Sequence, residues 1–397
     1  MSDQPKTSEE IIALKQRITD TLFEYPNVVG VDVGYKETNG TLTEQLTIRV
    51  HVTKKDPTLP ESQKIPPLIE GVETDVIVGE YGYLADFIVR DKIEHIDEVQ
   101  YPEIVGGTTI SVLDANGRAH SGTLGCVARR KSDGRTVALT NAHVTGGEFS
   151  EGETCFHPYP WSANARLGRV LNAVRNGEVD ASICSIDERI TGFRIVDIGP
   201  VRGSSNVIVT GMRVSKRGRQ TRLTHGMVEA VHGTFRMADG LIFKDVITIR
   251  PQGASDFSVS GDSGAVILNE QHQVVAQLYA GFDSLRFDQT RVAGRTLAVP
   301  IWKVLRELDI EIPVQKSDPV VIDRPQIPTR PVLRLGARGP QVGILQTLLS
   351  GKQFPLSTDG IFGLRTRYAV MIFQMESGLQ PDGIVGDRTW SRLEAVA

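Results

Sequence analysis

A serine flanked by small residues is the first candidate for chemistry in this sequence. Ser263 lies in the run Gly261-Asp262-Ser263-Gly264, directly before an apolar stretch. A serine hydroxyl is a weak nucleophile at neutral pH, so it needs a neighbouring base, a group that orients that base and donors for an oxyanion. The glycines allow a tight turn that exposes the hydroxyl and aims backbone N–H groups at one point. The run therefore predicts a nucleophile, provided that a base lies elsewhere in the chain.

A histidine and an aspartate upstream can supply the remaining parts of such a site. His143 follows the strand-like run Thr136–Thr140, and Asp180 opens another apolar strand. In chain order, His143, Asp180 and Ser263 form a candidate triad, in which the imidazole accepts the serine proton and the carboxylate orients the imidazole. Asp187, just beyond the same strand as Asp180, is the alternative carboxylate.

The order and the motifs resemble the chymotrypsin/trypsin-like serine peptidases of the bacterial type. The resemblance rests on Thr140-Asn-Ala-His143 together with the glycine-flanked serine, and it covers residues 104–310. It implies an all-β double-barrel domain, which we place at residues 101–311, and a serine endopeptidase that works through an acyl-enzyme. The backbone N–H groups of Gly261 and Ser263 would bind the oxyanion.

The same resemblance implies where a substrate would bind. Phe257, shortly before Ser263, would line the floor of the specificity pocket, which implies a preference for small or apolar side chains. The backbone of Tyr279, Ala280 and Gly281 would pair with an extended substrate as an added β-strand.

The aspartate before the serine would be buried and would need a cation. Arg219 lies in Gly218-Arg-Gln-Thr221, which is similar to the segment that supplies such an arginine in bacterial relatives, so we expect an Arg219–Asp262 ion pair. The site would then form in the intact chain. The alternatives are cleavage before Ile104, which in digestive relatives frees an ammonium group for the same aspartate, and a solvated Arg219.

The composition sets the broad class. Of 397 residues, 40% are hydrophobic and 23% are charged, with a formal net charge of −4. This balance is typical of a soluble globular protein of two or three domains, and it indicates no nucleic-acid or membrane partner. No membrane helix and no secretory signal are visible, which favours a cytoplasmic location, or the cell envelope after export without a cleaved signal. The three cysteines are expected to be reduced core residues, and no metal or cofactor site is indicated.

Residues 1–100 are expected to form a small α+β module. A capping-box sequence opens a helix over residues 7–23, and alternating runs at 29–35 and 46–52 predict paired strands. His51, in the second run, is expected to face solvent. We interpret the module as a packing or regulatory unit, with a pro-segment that covers the active site as the alternative.

The end of the chain is expected to comprise a Pro-rich linker, 312–331, and a three-helix domain, 332–397. The stretch Asp359–Thr366 recurs with few changes as Asp382–Thr389, and each copy indicates a turn before a helix. This pattern resembles the peptidoglycan-binding domain of bacterial wall hydrolases. The resemblance implies binding to wall glycan or, alternatively, docking to another protein.

The sequence therefore predicts a serine endopeptidase that a C-terminal wall-binding or docking domain directs to its target. Two alternatives remain open. The chain could be a catalytically silent scaffold that uses a trypsin-like fold for binding, or it could be a cell-wall hydrolase.

Overall fold

The structure of this chain is a computed structural model that describes residues 6–38, 41–79, 81–83, 97–114, 117, 119–253, 256–282, 294–314, 331–352, 354, 356–377, 379 and 381–394. It divides into two compact units, Met1–Asp318 and Pro319–Ala397. Most of the predicted Pro-rich linker lies outside the described residues. None of the helices in the described part is long and apolar enough to cross a membrane.

The helices are α1 (Ser8–Leu22), α2 (Ala142–Thr145), α3 (Ile301–Glu307), α4 (Pro340–Gly351), α5 (Leu364–Glu376) and α6 (Asp387–Glu394), with a 3-10 turn at Glu61–Gln63. The strands are β1 (Val28–Thr38), β2 (Thr41–Val52), β3 (Leu68–Ile69), β4 (Val72–Val78), β5 (Tyr81–Tyr83), β6 (Glu103–Gly106), β7 (Thr108–Leu113), β8 (Ala119–Leu124), β9 (Cys126–Arg130), β10 (Thr136–Thr140), β11 (Thr154–Phe156), β12 (Arg166–Arg175), β13 (Asp180–Ser185), β14 (Ile190–Ile195), β15 (Gly199–Pro200), β16 (Arg213–Gly218), β17 (Arg222–Arg236), β18 (Ile242–Pro251), β19 (Val266–Asn269), β20 (Val274–Phe282), β21 (Thr296–Pro300) and β22 (Ile310–Glu311).

An eight-stranded sheet positions the histidine and the aspartate, and its strand order is β22-β9-β10-β13-β12-β11-β7-β8. His143 follows β10, and Asp180 begins β13. These two strands are antiparallel neighbours, with Thr140 opposite Ser182. Since one strand ends where the other begins, their ends bring the two side chains together. A separate three-stranded sheet has the order β15-β14-β6.

Six other strands close into a barrel, called here the second barrel. It carries the turn Gly261–Gly264 around Ser263, called here the serine turn. The order of the six strands is β16-β19-β20-β21-β18-β17, and a further pairing between β16 and β17 completes the circle. Ser263 lies just before β19. Buried aliphatic side chains such as Val228, Ile249, Ile267 and Leu278 fill this part of the core. The all-β double-barrel fold predicted from the sequence is confirmed.

The N-terminal strands extend the sheet of the second barrel. The long strand β17 pairs with β16 along Arg222–Met227 and with β1 further along, where Ala230 lies opposite Gly34. Strands β2, β4 and β3 follow β1 in the same sheet. The predicted α1 and its capping box between Thr7 and Glu10 are present, and the helix packs on β1 and β2 through its apolar face.

The prediction that His51 faces solvent is wrong, because its side chain is fully buried. Its Nδ1 lies 2.6 Å from the Tyr81 hydroxyl, and its Nε2 lies 3.2 Å from Asp32 Oδ2. Asp32 also accepts two 2.7 Å hydrogen bonds from Arg49. The alternating pattern of β2 could not reveal this burial, since the ring that covers His51 belongs to Phe235 of β17, at a centroid distance of 5.0 Å.

This buried polar cluster continues into the second barrel. Arg49 Nη1 lies 3.2 Å from Glu229 Oε2, and Arg295 Nε donates to the same oxygen at 2.7 Å. Burial alone would raise the pKa of Glu229, but the two guanidinium groups lower it to about 2. The cluster therefore joins the N-terminal strands to the barrel through charged partners inside the molecule.

Two equivalent glutamines explain the sequence repeat of the C-terminal unit. Gln346 on α4 donates from Nε2 to Asp359 Oδ1 at 2.8 Å and accepts from the backbone N–H of Gly360 at 2.9 Å. Gln374 on α5 makes the matching bond to Asp382 at 2.9 Å. Each repeated Asp-Gly-Ile turn is thus held by a buried amide of the preceding helix, so the repeat is a structural device.

Candidate active site

The side chain that orients His143 is Asp180. His143 Nδ1 donates to Asp180 Oδ2 at 2.7 Å, and the backbone N–H of His143 donates to Oδ1 at 3.1 Å. Asn141 Nδ2 holds the backbone carbonyl of Asp180 at 2.5 Å. The alternative carboxylate, Asp187, instead accepts from Ser185 Oγ at 3.0 Å. The two bonds to one buried carboxylate fix both the backbone and the ring of His143.

This pairing also determines which nitrogen of His143 can accept a proton. Because Nδ1 carries the hydrogen that Asp180 accepts, the neutral imidazole presents Nε2 as the acceptor. Nε2 is buried, and so is the hydroxyl of Ser263. A buried acceptor and a buried hydroxyl are the atoms that a serine nucleophile and its base require.

Gly122 of β8 lies between the histidine helix and the serine turn. A Cβ at this position would lie 2.5 Å from Val144 Cγ2 and 2.9 Å from the carbonyl oxygen of Ser263. The backbone N–H of Thr123 donates to the same carbonyl at 2.8 Å. The serine and the neighbour of His143 therefore contact β8 at one point, and only a glycine leaves room for both.

The serine turn leaves two backbone donors available. Gly261 and Gly264 both have φ of +96°, a region that favours glycine. Within the described part of the chain, no backbone acceptor receives the N–H groups of Gly261 and Ser263, whereas that of Asp262 donates to Val259 O at 3.0 Å. Two N–H groups that bond to no other described residue, beside the hydroxyl, form the kind of arrangement that binds an oxyanion.

The structure contradicts the expected Arg219–Asp262 ion pair, because Lys216 is the cation that contacts Asp262. Lys216 Nζ lies 3.1 Å from Asp262 Oδ2, and both side chains are fully buried. Thr221 Oγ1 donates to the same carboxylate at 2.6 Å. A Cβ at Gly218 would lie 2.2 Å from Asp262 Oδ1, so this close approach requires a glycine. Burial lowers the pKa of Lys216, and the charge of Asp262 opposes that shift.

The alternation of β16 explains why the lysine takes this place. Val214, Lys216 and Gly218 are buried on one face of the strand. Arg219 lies beyond the strand end, and its Nη1 donates to the Tyr159 hydroxyl at 3.2 Å. Its Nε lies 3.0 Å from the position that a Cβ of Gly261 would occupy, so the guanidinium group stands beside the serine turn.

Ile104, the residue at the alternative cleavage point, is fully buried in β6. It pairs with Thr191 of the parallel strand β14. Since Lys216 already supplies a cation to Asp262, the serine turn has its ion pair in the intact chain. The three cysteines, Cys126, Cys155 and Cys184, are buried and free of disulfides, as predicted.

The predicted substrate residues fall in two places. Phe257 is fully buried in the second barrel, with Lys216 Nζ 5.6 Å from its ring centroid, and its pocket-lining role stays a prediction. Tyr279 and Ala280 are also fully buried, and the Tyr279 ring stacks on Phe243 at a centroid distance of 4.4 Å.

Sequence reasoning missed Lys216, although an inward lysine in an alternating strand was the available signal.

Comparisons with known proteins show similarity in two regions. Residues 338–393 match the family model of the putative peptidoglycan binding domain. Protein NARROW LEAF 1 of Oryza sativa subsp. japonica is 26% identical over 284 residues, which cover 60% of this chain and 48% of that protein. The chain thus spans about half the length of this relative.

Among solved structures, Thermobifida fusca protease A is 19% identical and has a TM-score of 0.40, with 54% of this chain and 100% of that chain covered. The chymotrypsin of Cellulomonas bogoriensis is 18% identical with a TM-score of 0.39, and the coverage is again 54% and 100%.

Proposed function

We propose that this chain is a serine endopeptidase that its C-terminal domain attaches to peptidoglycan. The observation that carries the catalytic part is the pair of hydrogen bonds from His143 to the buried carboxylate of Asp180. A histidine held in this way presents Nε2 as a base, and the fold places the serine turn against the strand that the histidine helix also contacts.

In the proposed reaction, Ser263 Oγ attacks the carbonyl carbon of a peptide bond while His143 Nε2 takes the hydroxyl proton. The oxyanion of the tetrahedral intermediate accepts hydrogen bonds from the N–H groups of Gly261 and Ser263. His143 then gives its proton to the leaving amine, and an ester to Ser263 remains. Water attacks this ester with His143 as the base, which releases the acid and restores the hydroxyl.

The Lys216–Asp262 pair supports this proposal because it fixes the residue before the nucleophile. Asp262 accepts hydrogen bonds from the side chains of Lys216 and Thr221 and from the backbone N–H of Gln220 at 2.9 Å. A carboxylate with this many hydrogen bonds is fixed in one rotamer. The turn that carries Ser263 therefore keeps one conformation before any substrate binds.

For the wall-binding part, the groove beside α5 is the candidate surface. It has a volume of about 410 Å³ and is lined by Leu364, Arg365, Arg367, Tyr368 and Met371. Tyr368 is 67% exposed and Leu364 is 71% exposed, and the two line the same groove one helical turn apart. An exposed aromatic ring can stack on a sugar ring, and the arginines can pair with carboxylates of wall peptides.

The test combines three measurements on the full chain and on its Ser263→Ala variant. The wild-type chain should react with a fluorophosphonate probe, hydrolyse casein and sediment with purified peptidoglycan. The variant should lose labelling and hydrolysis and keep sedimentation. Absence of labelling would favour the binding scaffold, and release of soluble fragments from purified wall with casein left intact would favour a wall hydrolase.

A further inference from the structure

The strand β20 runs directly past the serine turn. The backbone N–H of Gly264 donates to Leu278 O at 3.2 Å, and the N–H of Leu278 donates to Ala265 O at 2.9 Å. Among the described residues, the backbone hydrogen bonds between the chain around Ser263 and this edge of β20 end at Leu278. The next residues of the edge, from Ala280 onward, therefore offer backbone groups to another strand immediately beside the nucleophile.

Strand β5 takes this place. It pairs antiparallel with β20, with Tyr83 opposite Ala280 and Gly82 opposite Gly281. The other edge of β20 is already occupied by β21, which also pairs with Ala280 and Gly281. Both edges of β20 beside the serine turn are thus filled by segments of the same chain.

We propose that Tyr81–Tyr83 occupies the position of an extended peptide substrate and keeps the peptidase latent until a peptide displaces it. This inference rests on the proposed function. An extended peptide that reaches Ser263 gains main-chain hydrogen bonds by adding to the edge of β20, and two strands cannot occupy one edge. Substrate and β5 therefore compete for the same backbone groups.

The internal strand is held mainly at its first residue. The hydroxyl of Tyr81 lies 2.6 Å from His51 Nδ1, and its ring lies 4.6 Å from that of Phe235 between centroids. Within the described residues the strand comprises Tyr81–Tyr83, which is shorter than most strands in folded proteins, so the described pairing with β20 gives few hydrogen bonds. Residues 82 and 83 can therefore separate from the edge of β20 while the buried side chain of Tyr81 holds the strand nearby.

This arrangement predicts selectivity by substrate length. A small ester that touches only the serine turn does not need the edge of β20, so β5 does not hinder its hydrolysis. A peptide that extends over several residues must first displace β5. The wild-type chain should therefore hydrolyse small esters more efficiently than extended peptides with the same residue at the cleaved bond.

A reversible disulfide between β5 and β20 tests whether β5 competes with a peptide substrate. Gly82 and Gly281 lie opposite each other in the antiparallel pair, at the separation of Cα atoms that a disulfide tolerates. In the variant Gly82→Cys/Gly281→Cys, oxidation should lower hydrolysis of a peptide anilide of four or more residues by at least about ten-fold, because the strand is then tethered to the edge. Reduction of the same double variant should raise this hydrolysis again by the same factor, whatever the cost of a side chain at Gly281, and the rate of fluorophosphonate labelling should be the same in both redox states.

The single variant Gly82→Cys is the matched control, since it carries one new thiol and cannot form the disulfide with position 281. Its hydrolysis of the peptide anilide should not respond to reductant. Equal hydrolysis of the anilide by the oxidised and reduced double variant would overturn the inference, provided that the disulfide is verified by mass.

Hydrogen exchange separates this inference from the proposed catalytic function. In the full chain with Ser263→Ala, saturation with an uncleaved tetrapeptide should speed amide exchange in the segment that contains residues 81–83, while a single-residue ester should not. Unchanged exchange would overturn the inference without reference to catalysis. Failure of the wild-type chain to react with fluorophosphonate would overturn the proposed function instead.

Discussion

Lys216 Nζ lies 3.1 Å from Asp262 Oδ2, and neither side chain has contact with solvent. Asp262 directly precedes Ser263 in the chain, and Lys216 reaches it from β16. This pair gives the serine turn an internal cation from a strand of the same domain, so the turn depends neither on a new N-terminus at Ile104 nor on Arg219. The consequences for stability and for activity can be measured separately.

Lys216→Met should destabilise the protein far more than Arg219→Met. The first change leaves a buried carboxylate without its cation, which costs about 3–5 kcal/mol. The second removes a partly exposed group with one hydrogen bond to Tyr159, which costs about 1 kcal/mol. Urea unfolding of the two variants measures the difference. Equal losses would contradict the assignment of Lys216 as the partner of Asp262.

The proposed triad predicts three inactive variants and one active control. Ser263→Ala, His143→Ala and Asp180→Asn should each lower casein hydrolysis by about 10⁴-fold or more, because each removes a group that acts in the same step. Asp187→Asn should stay close to wild type, since Asp187 contacts Ser185 and Arg166 and not His143. Substantial activity in Asp180→Asn would refute the role of this carboxylate.

The burial of His51 predicts a loss of stability in mild acid. Burial lowers the pKa of His51 from its ordinary value of 6.5, although the charge of Asp32 acts in the opposite direction. Its neutral form is thus favoured in the folded state, so its contribution is complete above pH 6.5 and falls as the unfolded chain takes up a proton at lower pH. Between pH 7.5 and pH 5.5 the free energy of unfolding should fall by an amount whose upper limit for this group is about 1.4 kcal/mol, reached when the folded protein takes up no proton at His51.

The control for this prediction is His51→Gln, which cannot titrate. Its free energy of unfolding should be lower than that of the wild type at both pH values, because the bond to Tyr81 is altered. Its dependence on pH should be weaker by the amount given for His51. The pKa of His157 is also lowered by burial, but this histidine is present in both proteins and cancels in the comparison. Equal slopes would count against the effect of His51.

Tyr368→Ala should weaken sedimentation with purified peptidoglycan by about ten-fold, since a single exposed aromatic residue can dominate a small contact surface. The control is Thr347→Ala on α4, where the exposed hydroxyl bonds only to the carbonyl of Gly343 in its own helix. Casein hydrolysis should be the same in both variants. If both variants sediment like the wild type, the groove beside α5 is not the wall-binding surface.

Several elements could be predicted from local sequence because local physics determines them. The helix α1 begins where Thr7 and Glu10 can form a capping box, and the alternating runs became β1 and β2. His143 and Asp180 were identified by their positions at strand ends, and the structure places them in contact. Their catalytic role stays a prediction.

The features that escaped prediction depend on partners far away in the chain. The burial of His51 requires Phe235, which an alternating pattern in β2 cannot reveal. Lys216 was passed over in favour of Arg219, because a motif similar to that of relatives outweighed the inward position of the lysine in β16. Strand β5 is described over Tyr81–Tyr83, a stretch too short to show a sequence pattern, and it is recognised by its pairing with β20.

Strand β17 has two partners along the same edge. Its first stretch pairs with β16 and closes the barrel, and a later stretch pairs with the N-terminal strand β1. A shortened protein that starts at β6 would expose the backbone around Ala230 and Phe235 as a bare edge. Such edges recruit strands from neighbouring molecules and lead to aggregation. The barrel therefore cannot be isolated cleanly by truncation, and the N-terminal residues belong in any soluble preparation of this protein.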